Sequence, residues 1–180
     1  MIALLAVCLL ALSFGTYAGS AATTSGTAYD IYLKLDGIDG ESTLKGYERW
    51  IALSSAQISV SNTRIVSGGG GSTAGRATAG PLFITKSPDA ATVKLFLATA
   101  SGTHIKKGVV AFVKRGESPE PVLSYELSDI LVTSYIADNG FEKLELSFSS
   151  ILLSYSSQNA KGGMNPPVTG GWNFESSKKL

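Results

Sequence analysis

His104 is the only histidine in this chain and Cys8 its only cysteine. Metal sites built from imidazole and thiolate need several such ligands, so that chemistry is excluded for a chain lacking its first residues. A hydrolytic relay needs a nucleophile, a base and an orienting acid. Serines are plentiful, but no Gly-x-Ser-x-Gly stretch occurs. His104 as a general base is the sharp reading. The plain one is a cation placed just after a helix end, where the dipole favours it.

Three further groups invite a chemical reading. Gly70-Gly71-Ser72-Thr73-Ala74-Gly75-Arg76-Ala77 approaches a phosphate-binding loop. Arg76 stands where lysine belongs, Ala77 replaces the magnesium-binding hydroxyl, and Pro81 opens a strand instead of a helix. Asp36, Asp39 and Glu41 offer oxygen ligands for calcium, yet their spacing is not that of an EF-hand, and turn acids on a solvated edge are the ordinary explanation. Tyr32, Tyr47 and Trp50 suit either a sugar-binding platform or a core or interface cluster. The sequence thus assigns no catalytic residue, no cofactor-binding residue and no metal ligand, and the chain reads as a protein that is not an enzyme.

The composition points the same way. Charged residues make up 16% of the 180, against about 25% in an ordinary soluble domain. Gly, Ser and Thr fill the difference, which suits short strands and turns. With 15 basic and 14 acidic residues, no basic face for nucleic acid is implied. The length allows one domain with a substantial core.

Strict alternation from Tyr29 to Asp36 predicts a strand with one buried face, closed by the turn Asp36-Gly37-Ile38-Asp39-Gly40. Residues 50–59 read as a second strand. Residues 61–80, small and glycine-rich, read as a connection too long to be idle: mobile, or ordered by a partner. Residues 81–86 form a short apolar strand. A helix follows, with Ser87 as cap, Pro88 in the first turn, Ala91, Leu95 and Ala98 on one face, and Gly102 as the stop. Strands resume over 109–114, 122–136 and 144–155. The inward parity of the last two flips midway, first near Ser128-Asp129, so each should bulge or bend. Strands that bend so pass between the sheets of barrels and sandwiches. Residues 156–180 supply Trp172 and Phe174 as apolar anchors.

Ile2 to Leu12 is an apolar run of signal-peptide length, followed by small residues, with cleavage expected after Ala18 or Ala22 and no basic residue ahead of it. The expected organisation is a signal over residues 1–22 and a single domain over 23–180. The mature chain is expected to be secreted to the exterior or the periplasm, with no membrane segment of its own; Cys8 is inert.

The segment Tyr29 to Ser42, ending Gly-Ile-Asp-Gly-Glu-Ser, resembles the opening strand and turn of the Hcp family of type VI secretion proteins. So do Leu82-Phe83-Ile84-Thr85-Lys86 with Asp89, Ser101-Gly102-Thr103-His104, Leu131-Val132-Thr133-Ser134, and Gly170-Gly171-Trp172-Asn173, in that order. The resemblance spans about residues 28–175. It implies an all-β fold with one helix: a two-sheet β-barrel or sandwich of antiparallel strands, flanked by that helix. It also implies six-membered rings of the chain itself, stacked into a hollow tube. That tube is the shaft of a contractile machine with sheath and spike proteins, and effector proteins ride in its lumen. The long loop would reach the next ring through Ser61, Arg64, Val66, Gly68, Gly69, Gly70, Gly71 and Arg76. Ser54, Ser55, Ala56 and Gln57 would line the lumen, without the aromatic, serine and glycine pattern common there. A Sec-type signal is a second departure from the family, reconciled by a tube built in the periplasm or outside the cell. The rival readings are an exported monomeric binding module, adhesin-like or carbohydrate-binding, and a hydrolase relying on His104.

Overall fold

A computed structural model describes residues 29–66, 72–115, 119–159 and 163–180. The expected signal over 1–22, Cys8 and the glycines 68 to 71 lie outside these residues. The described chain is antiparallel β-structure with one helix, as the sequence predicts.

β1 (Tyr29–Leu35) pairs with β2 (Ile51–Leu53) on one side and β7 (His104–Lys114) on the other. β7 pairs with β8 (Pro121–Asp138), whose far half pairs with β9 (Phe141–Ser147). β9 pairs with β6 (Leu82–Lys86), and β6 with β3 (Ser55–Gln57). β3 continues from β2 after a bend at Ser54, whose N–H donates to the Thr85 carbonyl at 2.7 Å. The pairings therefore return to β1 and close a barrel, leaving no free edge around it. Beyond it, β10 (Ser150–Tyr155), β11 (Val168–Asn173) and β12 (Lys178–Lys179) extend the sheet from the first half of β8.

The first parity break bends β8 within the barrel, and the second marks where the chain leaves the barrel between β9 and β10. At Asp129 φ is 51°, a left-handed kink, and the β8–β9 register slips between Val132 and Ser134. The run 144–155 is two strands, with β9 in one half and β10 in the other. The expected single strand over 50–59 is likewise broken, and β7 starts at His104, earlier than the apolar run suggests.

The helix α1 (Thr92–Ser101) begins later than the Ser87-Pro88-Asp89 signal predicts. Asp89 organises the turn before it: its carboxylate accepts from Ala91 N–H at 2.9 Å and its carbonyl from Thr92 N–H at 3.0 Å. Ala91, Leu95 and Ala98 are buried as expected. Gly102 ends the helix with φ 64° and donates to the Ala98 carbonyl, a conformation glycine takes without a Cβ clash. α1 closes the core of Leu33, Leu35, Ile51, Leu82, Ile84, Leu127, Ile130, Leu144 and Leu146.

Within the stretch 61–80, the described residues are not irregular. They belong to a hairpin of β4 (Val60–Val66) and β5 (Ser72–Ala79), forming a sheet of its own. Thr63, Ile65, Val66, Thr73 and Thr78 are β-branched and favour extended backbone, which the small residues around them mask in the composition.

Candidate functional site

The residues proposed for chemistry are each tied into local structure. His104 Nδ1 lies 2.8 Å from Asp129 Oδ1, an exposed pair joining the start of β7 to the β8 kink. Asp39 is held by Lys34 Nζ at 2.8 Å and Arg49 Nη2 at 2.5 Å. The hydrogen bond from Lys34, with the charge of Arg49 adding to it, holds its carboxyl below the usual range. That carboxylate serves a turn between two cations, and among the described residues no group of three His, Cys, Asp or Glu side chains gathers.

Tyr47 is buried, stacked on Tyr32 at 5.4 Å and edge-on to Trp50 at 5.0 Å. With Ala111 and Val113 these rings form a second small core, and burial pushes the Tyr47 hydroxyl pKa up. A sugar platform needs an open ring face, which Tyr47 does not present. Arg76 and Ala77 lie in strand β5, so the phosphate-loop reading fails on conformation as well as composition.

What the fold does present is surface of three kinds. The first is the hairpin, where Ser61, Asn62, Thr63, Arg64 and Arg76 are exposed and the Ser61 and Thr78 hydroxyls meet at 2.9 Å. Arg76 reaches back to the carbonyls of Phe174 and Glu175. The side chain of Val66 lies outside the described residues. The second is the outer face of β3, β6, β9 and the end of β8. Register places Ser55, Gln57, Phe83, Thr85, Lys143, Glu145 and Ile136 there. Of the lumen candidates, Ser55 and Gln57 are on this face, Ser54 forms the bend, and Ala56 turns inward onto the core.

The third is the outer side of α1. Val93, Phe96 and Leu97 are 66%, 53% and 56% exposed, spaced so that they form one apolar stripe. Lys94 is the only charged residue of the helix and donates to the Gly37 carbonyl. This second stripe lies outside the Ala91/Leu95/Ala98 face; sequence reasoning missed it, although the same helical spacing carries it.

A buried polar knot fixes that helix to the barrel. Lys86 Nζ lies 2.5 Å from Glu142 Oε2 and 2.9 Å from Asp89 Oδ1, and Tyr135 donates to Glu142 Oε1 at 3.0 Å. Burial pushes the Glu142 carboxyl up, but hydrogen bonds from Lys86, Thr92 and Tyr135 outweigh it and the net shift is downward. Tyr135 is raised in turn, by burial first and then by its bond to Glu142. Its ring stands edge-on to Phe96 at 5.8 Å. The knot was also missed, though Lys86 and Glu142 share the inward parity of Ile84 and Leu144.

Residues 32–155 match the family model for the type VI secretion system effector Hcp. The fold is similar to a solved structure described as a type six secretion system protein, with a TM-score of 0.79 and 26% identity. That match covers 85% of this chain and 100% of the other. Hcp1 from Salmonella typhimurium is 29% identical, with a TM-score of 0.68 over 85% of this chain and 99% of its own. Hcp2 from the same organism is 27% identical, with a TM-score of 0.60 over 83% and 99%. No curated protein sequence matches the chain.

Proposed function

The chain belongs to the Hcp family of type VI secretion system effectors, and from that premise we propose that it is a non-catalytic, self-assembling subunit. Copies form six-membered rings that stack into a hollow tube. The observation that carries this reading is the uncovered apolar stripe of α1, Val93, Phe96 and Leu97. Apolar surface gains about 25 cal/mol per Å² on leaving water, and a neighbouring copy is the partner available in every ring. The mechanism is geometric: contacts weak one by one sum around a ring and along a tube.

In this reading the outer face carrying Ser55 and Gln57 lines the lumen, where effector proteins are carried. The hairpin, with Ser61, Arg64, Val66 and the glycines 68 to 71, meets the next ring. Sheath and spike proteins are the outer partners. Export through a signal over residues 1–22 belongs to the same proposal. Protein recovered from culture fluid should begin at Gly19 or Thr23 by N-terminal sequencing, and a start at Met1 would remove that part.

Negative-stain electron microscopy with mass photometry tests the assembly. Rings of six, single or stacked, are the expected result. A monomer throughout the micromolar range would overturn it and favour the monomeric binding module.

A further inference from the structure

Arg76 connects the hairpin to the body of the molecule. Both hydrogens of one terminal nitrogen are used: Nη2 donates to the Phe174 carbonyl at 2.6 Å and to the Glu175 carbonyl at 2.7 Å. The acceptors are well anchored. Asn173 Oδ1 accepts from Ser176 N–H at 2.8 Å and shapes the turn, while Phe174 N–H donates to the Ser149 carbonyl at 2.9 Å. The Phe174 ring stands edge-on to Phe148 at 6.0 Å, at the corner between β9 and β10.

Apolar packing does not fix the hairpin with comparable firmness. A cleft of about 400 Å³ lies between its base, at Val60, Asn62 and Ala77, and the sheet at Ile151, Leu153 and Trp172. Val60 remains 57% exposed beside it. β4 and β5 pair only with each other, and a lone two-stranded ribbon is marginal in water. At its base, Gly80 N–H donates to the Ser59 carbonyl at 2.9 Å, which joins the strands without setting their direction.

We propose that Arg76 is a positioning latch: it is spent within its own subunit, and it aims the hairpin that the next ring must receive. This rests on the stacking role given to the hairpin above, and it changes what Arg76 does there. The residue does not touch the neighbour. It holds the hairpin in one direction beforehand, so that stacking does not lose affinity to ordering it. A hydrogen bond from a charged donor to a carbonyl is strong enough for that role and weak enough to be released.

Hydrogen exchange on the full chain, read beside electron microscopy, separates the two roles. Arg76→Ala should raise exchange across residues 60–79 by about tenfold, with barrel amides unchanged, since a charge-assisted bond contributes on that order. Arg76→Lys should lie between, because an ammonium reaches one carbonyl more easily than two. Asn173→Ala, which leaves Arg76 in place but undoes the turn, should loosen the same segment. In both alanine variants rings should persist while stacks shorten to single rings. Hairpin protection equal to wild type in Arg76→Ala would overturn the latch. So would a loosened hairpin with stacking intact. If wild-type rings never stack, the stacking reading fails by itself, and the exchange comparison still decides whether Arg76 holds the hairpin.

Discussion

Lys86 and Glu142 each break the apolar pattern of the strand that carries them, and both do so on the inward side. They face each other in the β6–β9 register and are almost completely buried, at 0% and 1% exposure. A buried charge without its partner is costly, so the pair is better tested by breaking than by counting. Glu142→Gln should destabilise the fold by about 3 kcal/mol, the low end for a broken buried pair, because Asp89 still faces the ammonium. Removing both charges, as Lys86→Met with Glu142→Leu, should cost less than the two changes summed. The pH dependence has a definite sign. Glu142 has its folded pKa lowered, so its stabilisation is complete above the ordinary glutamate value of about 4.3 and is lost as pH falls through the folded value. Urea titrations at neutral and acid pH should show wild type losing stability over that acid window and Glu142→Gln losing less. Parallel pH profiles for the two would show that the carboxylate carries none of it. The inward parity of both residues was legible in the sequence. Their pairing was not, since it depends on a register between strands 56 residues apart.

The helix shows how an element can be read correctly and placed wrongly. Its buried face and its glycine stop follow from spacing alone, whereas its start does not. Ser87 carries the features of a cap, but the turn that opens α1 is built by Asp89 and Thr92, with Asp89 N–H donating to Thr92 Oγ1 at 3.0 Å. Ser87→Ala should therefore leave the thermal midpoint unchanged. Asp89→Ala should cost about 1–2 kcal/mol through the lost turn bond and the lost contact with Lys86. Equal losses in the two variants would return the cap to Ser87. The hairpin is the opposite case. Its composition reads as a connection because Gly, Ser and Ala dominate, yet β-branched residues recur often enough to keep both strands extended. The parity breaks near Ser128-Asp129 and between Phe148 and Ile151 were legible because a period of two records every slip. Which sheet each half joins became clear only in three dimensions.

For the molecule as a whole, the order of motifs reveals the fold, while the proposed assembly rests on surfaces that no local pattern fixes. The barrel closes its own edges, so association through strand pairing is left to the hairpin and to the short outer strands, where Lys178 and Lys179 guard the edge. Among the described residues the α1 stripe is an uncovered apolar feature, and Phe83, Ile136 and Phe141 are exposed on the face of β6, β8 and β9. If α1 meets the next subunit of the ring, a charge placed there must be buried unpaired at every interface. Val93→Glu is the cleanest probe, because Phe96 also touches Tyr135 inside its own subunit. The variant should keep the wild-type far-UV spectrum and melt within a few degrees, since Val93 is outside the core. In mass photometry it should shift from rings to monomers, with an apparent association constant at least about 100-fold weaker, the scale of an interface hot spot. Leu97→Lys should do the same and Lys94→Ala should not, as that side chain serves the Gly37 carbonyl. Hexamers undiminished in both apolar variants would move the ring contact away from the helix. They would point instead to the sheet face of Phe83 and Phe141, and the lumen would then have to be sought on another side of the barrel.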